Sequence, residues 1–253
     1  MPPHTGHANP TVMTLRSFVR HALLGVLAAA SVAAHAATLR VASAFDPQTM
    51  DPHALALLYH SRVAFQVYDS LVGRDEQFRL EPALAQSWQM INPTTWRFKL
   101  RDGVKFHDGS TFTADDAVFS IERTLGPTSQ RSFALRGLSQ VKKVDEQTID
   151  FVLAAPDAVW PEKLQYVAMM SKAWCAQHGA EKSQDFNGKQ EMFTVRNAMG
   201  TGPFKLERYE PDVRVVLKRH DAYKWGPSMY KNKGPVKFEK ANAVPAHRKT
   251  AVA

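Results

Sequence analysis

The chain has 253 residues, 44% of them hydrophobic, which is enough for one sizeable core or two small ones and too much for a disordered polymer. Its net charge of +8 sits at the ends: residues 1–36 hold Arg16 and Arg20 without an acid, residues 222–253 carry +6, and residues 37–221 are neutral. A neutral body excludes a nucleic-acid reader, which needs a basic face on its folded part to displace counterions from phosphate.

The N-terminal segment has the order of a secretory signal. Basic RSFVRH (16–21) precedes the apolar run ALLGVLAAASVAA (22–34), and Ala34-His35-Ala36 offers small side chains to a signal peptidase. Cleavage is expected between Ala36 and Ala37. As a helix the apolar run would rise only about 20 Å, short of a hydrocarbon core of about 30 Å. The polar stretch before Met13 fits no targeting pattern, which makes Met13 an alternative start. Cys175 is the single cysteine, so an intrachain disulfide is excluded, and the cleavage site lacks the cysteine that a bacterial lipid anchor requires. A soluble periplasmic protein is therefore expected.

Along the expected mature chain, TLRVASA (38–44) alternates like a strand, and two Asp-Pro steps then break regular structure. Residues 55–71 place Leu57, Val63, Val67 and Leu71 near helical spacing. Trp88 and Met90 begin a new strand. In TWRFKL (95–100), Trp96, Phe98 and Leu100 face the core, while Thr95, Arg97 and Lys99 face water. Turns are expected at Arg101-Asp102-Gly103 and at His107-Asp108-Gly109-Ser110. Thr113 with Asp116 forms a capping box for a helix whose buried stripe is Ala114, Val118, Ile121 and Leu125. A hairpin joins 141–145 to 148–153 through Glu146-Gln147, with Ile149, Phe151 and Leu153 inward. Short helices follow over 159–180, then a polar loop over 184–197, and strands over 204–210 and 213–219. The class is mixed α+β.

Catalytic and metal signals are weak. Cys175 and His178 have the spacing of half a metal site, but a closed zinc site needs four ligands and no second pair lies nearby, so a half-buried thiol on a helix is the better reading. His107-Asp108 could be a base with its orienter, yet the Asp-Gly pair is explained by turn chemistry. The sequence contains neither a nucleophile elbow nor a phosphate-binding glycine loop. No cofactor is expected.

Residues 83–123, ALAQSWQMINPTTWRFKLRDGVKFHDGSTFTADDAVFSIER, closely resemble the signature of bacterial extracellular solute-binding proteins of the dipeptide and oligopeptide type. LRVASAFDPQTMDPH, YDSLV, SKAWC and GTGPFKLERYEPDVRVVLKRHDAYKWG fall in the family's order, so the match spans 38 to about 226. The resemblance implies a periplasmic, monomeric, non-enzymatic receptor that hands small peptides to inner-membrane ABC permease subunits. It also implies a two-lobed fold whose first lobe carries an inserted subdomain of antiparallel strands and helices. On that basis 37–52 and 195–227 form the main part of the first lobe, 53–194 the insertion, and 228–253 a divergent basic tail. The end of the first strand would line the ligand cleft, which maps to Ala42, Ser43, Ala44 and Phe45, pairing with peptide backbone in a strand-addition mode. Members of this type are much longer than 253 residues, so the second lobe is expected to be absent, and tight peptide binding is not expected of one lobe. Other cargo (a glycan, nickel or haem) and an inert fragment are the alternative readings; a secreted hydrolase ranks below them because no nucleophile with a base is apparent.

Overall fold

The structure is a computed structural model, and it describes residues 37–226 and 235–245. The expected signal segment with its apolar run, Met13, and most of the basic tail lie outside the described residues.

The described strands form three sheets. Strand β1 (Thr38–Ser43) is followed, after the Asp-Pro loop, by helix α1 (Leu58–Val67). A short hairpin, β2 (Val72–Arg74) with β3 (Leu80–Pro82), leads into β4 (Ala85–Asn92) and β5 (Thr95–Leu100). Helix α2 (Ala114–Leu125) precedes the hairpin β6 (Leu138–Asp145) and β7 (Thr148–Leu153). Three short helices, α3 (Trp160–Lys163), α4 (Lys172–Gln177) and α5 (Phe193–Arg196), connect to the hairpin β8 (Phe204–Glu210) and β9 (Arg214–Arg219), and β10 (Lys240–Pro245) ends the described chain.

The inserted sheet runs in the order β4-β5-β7-β6, antiparallel throughout. Its alternation follows the sequence pattern. Phe98 opposes Ile149, and both are fully buried, while on the other face Arg97 opposes Asp150 and holds it through two bonds of 2.8 Å. Phe98 meets Phe151 edge-on at 5.1 Å and stacks on Trp88 at 5.8 Å. Such ring pairs add about 0.5–1.5 kcal/mol beyond the area they bury. Trp96 is only half-buried, its indole N–H donating to the Asp157 carbonyl at 3.1 Å, and Met90 is exposed.

Helix α2 starts where the capping box put it. The Asp116 carboxylate accepts both the backbone N–H and the hydroxyl of Thr113, each at 2.9 Å. The turn before it closes on Gly109 at φ +92°, a backbone conformation that glycine takes without a Cβ penalty. The buried face of α2 differs from the expected stripe. Ala114, Ala117, Ser120, Ile121, Arg123 and Thr124 are buried, whereas Leu125 is exposed and Val118 only half-buried. The helix is rotated because its polar side chains have buried partners: Ser120 Oγ accepts the Met170 N–H at 2.8 Å, and Arg123 enters an ion-pair network.

The second sheet has the order β1-β10-β9-β8. β10 pairs parallel with β1, Thr38 opposite Lys240, and antiparallel with β9. No strand was expected within 228–253. Helix α1 packs its Val63, Ala64 and Val67 into the core of this sheet, beside Phe204, Tyr209, Val215 and Leu217. Leu57, expected in that stripe, is exposed. Gly202 lies against the end of α1, its N–H donating to the Val67 carbonyl at 2.9 Å, and a Cβ there would stand 2.6 Å from the Val67 carbonyl carbon.

Candidate functional site

The four residues expected to meet ligand stand where β1 runs out. Ala42 and Ala44 are exposed, Ser43 is half-buried, and Phe45 leaves 58% of its surface open. Ser43 Oγ donates to the Phe45 carbonyl at 2.8 Å and bends the chain off the strand. Among the described strands β1 is paired on one side only, by β10.

The chain after Phe45 is pinned to the protein. The buried Asp46 carboxylate accepts the Gln48 N–H at 2.6 Å, the Asp212 N–H at 2.9 Å and the Tyr209 hydroxyl. Tyr209 and Asp212 belong to the β8–β9 hairpin, so the first Asp-Pro step works as a clamp as well as a strand breaker. Gln48 follows with φ +67°, in the left-handed region that non-glycine residues seldom occupy. Its side-chain amide donates to the Tyr59 hydroxyl at 3.1 Å, and the Tyr59 ring lies 5.2 Å from that of Phe45, tilted by 42°. Tyr59 was not singled out from the sequence: its helical position alone carries no sign that it meets Phe45.

Beneath this surface the second Asp-Pro step holds a buried network. The guanidinium of Arg123 grips both Asp51 oxygens, at 2.9 and 2.6 Å, with neither side chain reached by solvent. Asp51 also accepts the backbone N–H of His53 and Gln184 and the hydroxyl of Thr194, each at 3.0 Å. The remaining Arg123 protons go to the carbonyls of Ala180 and Lys182 and to His53 Nδ1, all at 2.9 Å. Since His53 Nδ1 accepts, its Nε2 carries the proton and donates to the Ala168 carbonyl at 3.0 Å. Burial raises the Asp51 carboxyl, but the Arg123 guanidinium more than offsets this and holds it well below the usual carboxylate range. Burial and the same guanidinium lower His53 to about 3, which keeps it neutral.

The other candidates resolve as follows. His107 is buried, its Nε2 3.2 Å from the Gly202 carbonyl, while Asp108 accepts the N–H and hydroxyl of Ser110, so the adjacent pair serves the turn. Cys175 is fully buried, and His178 stacks on Phe193 at 4.1 Å. Among the described residues no group of three or more His, Cys, Asp or Glu could hold a metal ion. An open groove of about 420 Å³ lies between the starts of α2 and α4, lined by residues including Thr113, Asp116 and Lys172, and none of residues 42–45 borders it.

An exposed strand end on a clamped loop can present backbone and one aromatic ring to a ligand, and the comparisons give that surface a context. Residues 79–253 match the family model described as bacterial extracellular solute-binding proteins, family 5 Middle. The chain belongs to this family. The chain is similar to the peptide transport periplasmic protein SapA of Salmonella typhimurium, 32% identical over 71% of this chain and 35% of the relative. The dipeptide-binding protein of Escherichia coli K12 is 31% identical over 81% and 41%. The periplasmic binding protein DppA from Helicobacter pylori, solved with the peptide STSA, superposes with TM-score 0.67 at 25% identity, over 83% of this chain and 43% of that one. Other relatives are named for haem and glutathione. The chain spans about two-fifths of the length of these relatives. The family is described as one of extracellular solute-binding proteins, and among the described residues no helix is long and apolar enough to cross a membrane.

Proposed function

We propose that this chain supplies the first lobe, with its inserted subdomain, of a periplasmic substrate-binding component of an ABC importer for dipeptides and oligopeptides. The observation that carries the proposal is the exposed end of β1, Ala42 to Phe45, pinned by Asp46 in a chain of a solute-binding family and similar to a dipeptide-binding protein. The backbone of this segment would pair with the extended peptide, a contact indifferent to most side chains, and Phe45 would border the first side-chain position. The inner-membrane permease subunits are its transport partners on this reading.

A dipeptide bearing a benzophenone, photolysed with the protein and followed by peptide mapping, tests the site and the cargo together. Labelling within the segment containing residues 42–45, suppressed by an excess of unlabelled dipeptides, is the expected result. Labelling suppressed by haem, a nickel–histidine complex or glutathione but by no peptide would assign another cargo. Labelling elsewhere would remove residues 42–45 from the site.

A further inference from the structure

We propose that Phe45 and Tyr59 together form a ring-stacking subsite that makes this protein select peptides carrying an aromatic side chain next to the bound backbone. The inference rests on the peptide-binding reading above and adds to it the class of peptide. Phe45 keeps 58% of its surface in water, although burying such a ring is among the larger favourable steps open to a folding chain. The loop does not let it turn inward: Asp46, directly after it, is held by three donors, two of them from the distant β8–β9 hairpin. Tyr59 is fixed against it from the other side. Its hydroxyl oxygen is occupied by the Gln48 amide, and Gln48 itself sits at φ +67°. Residues kept in such sparsely populated backbone regions concentrate at ligand clamps.

The geometry of the pair states what it would accept. Ring centroids 5.2 Å apart with planes tilted by 42° put the two rings in contact, so the surface that Phe45 leaves open is its side away from Tyr59, and Leu58, 68% exposed, is the residue before Tyr59. A third ring laid on the open side of Phe45 can sit edge-to-face or offset within the 4.5–7 Å range that aromatic pairs favour, with Tyr59 holding Phe45 in place behind it. An aliphatic side chain gains the area and lacks the ring–ring term.

The test uses the photolabelling of residues 42–45 and measures its half-inhibition by unlabelled Ala-Phe, Ala-Leu and Ala-Ala. Ala-Phe is expected to inhibit at about one-tenth the concentration of Ala-Ala and about one-third that of Ala-Leu, the size of one aromatic contact. In Phe45→Ala the Ala-Phe to Ala-Ala ratio should fall to within about twofold. Phe45→Leu, which keeps the apolar bulk, should erase the preference for Ala-Phe over Ala-Leu. Equal inhibition by all three peptides in the unaltered protein, or an unchanged ratio in both variants, overturns the aromatic subsite and leaves the peptide reading standing. Failure of every peptide to inhibit even at about 10 mM, where the weak binding expected of one lobe would still register, overturns the peptide reading and the subsite with it.

Discussion

Replacing Arg123 by leucine removes the only cation within reach of the Asp51 carboxylate among the described residues, at a place where both side chains are shut off from solvent. The carboxylate keeps three donors, from His53, Gln184 and Thr194, which are too few to replace a guanidinium. The carbonyls of Ala180 and Lys182 lose their donors as well. Breaking a buried ion pair from one side costs about 3–5 kcal/mol, a large part of the roughly 5–15 kcal/mol that holds a domain folded. With a urea m-value of about 2–3 kcal/mol/M, the midpoint should fall by about 1–2 M, read from the fluorescence of the five tryptophans. Adding Asp51→Asn to Arg123→Leu removes the stranded charge, so the double variant should be more stable than Arg123→Leu alone, by about 1 kcal/mol or more. A single-variant loss below about 1 kcal/mol, or a double variant no better than the single one, would refute the argument that charge pairing holds this network together.

Three further outcomes follow from the geometry and a fourth from the N-terminal sequence. Phe98→Ala should cost about 3–5 kcal/mol because the ring is fully buried, and Trp96→Ala about 2 kcal/mol because its ring is only partly buried; equal losses in urea unfolding would contradict the burial. Gly202→Ala drives a Cβ into the Val67 carbonyl and should cost at least about 2 kcal/mol, whereas tolerance by thermal unfolding would mean that the backbone yields there. Burial lowers His53 and His107 to about 3 and His60 to about 4, so folded protein binds these protons less readily than unfolded chain. Stability is therefore full above pH 6.5 and is lost progressively below it. Asp69, raised by burial to about 6, acts in the opposite sense between pH 6 and 3.8, but one carboxylate faces three imidazoles. The melting temperature should drop by about 5–10 °C from pH 7 to pH 5, and a flat or rising profile would show that the imidazoles are not held neutral. N-terminal sequencing of periplasmic protein should begin at Ala37, and an uncleaved cytoplasmic chain would refute export.

The elements fixed by near neighbours were legible from residue type alone. Thr113 with Asp116 marked the start of α2, Asp108-Gly109 marked the turn before it, and the alternation in TWRFKL set which face of β5 is buried. Interactions across long sequence separations were not legible. Arg123 finds Asp51 72 positions away, and that partnership rotates α2 so that a charged residue, not Leu125, faces inward. Strand β10 depends on β1 and β9 for its pairing, and the lysine-rich composition around it reads as tail. For the site, resemblance supplied residues 42–45, while the contact between Phe45 and Tyr59 needs a loop whose course is set by Asp46 and the β8–β9 hairpin.

The pairing of β1 with β10 also sets a timetable. Thr38 meets Lys240 across nearly the whole described chain, and β10 is also what connects β1 to β9. A ribosome or export channel that delivers the N-terminus first releases the strand carrying the ligand-facing segment long before its partner exists. The inserted sheet, whose strands lie close in sequence, can form in the meantime, and contacts this distant form late because the chain between them must first be ordered. The surface at Phe45 is thus synthesised long before β10 and takes its shape only once β10 has arrived, which gives a chaperone or a protease extended access at the residues that would later hold cargo.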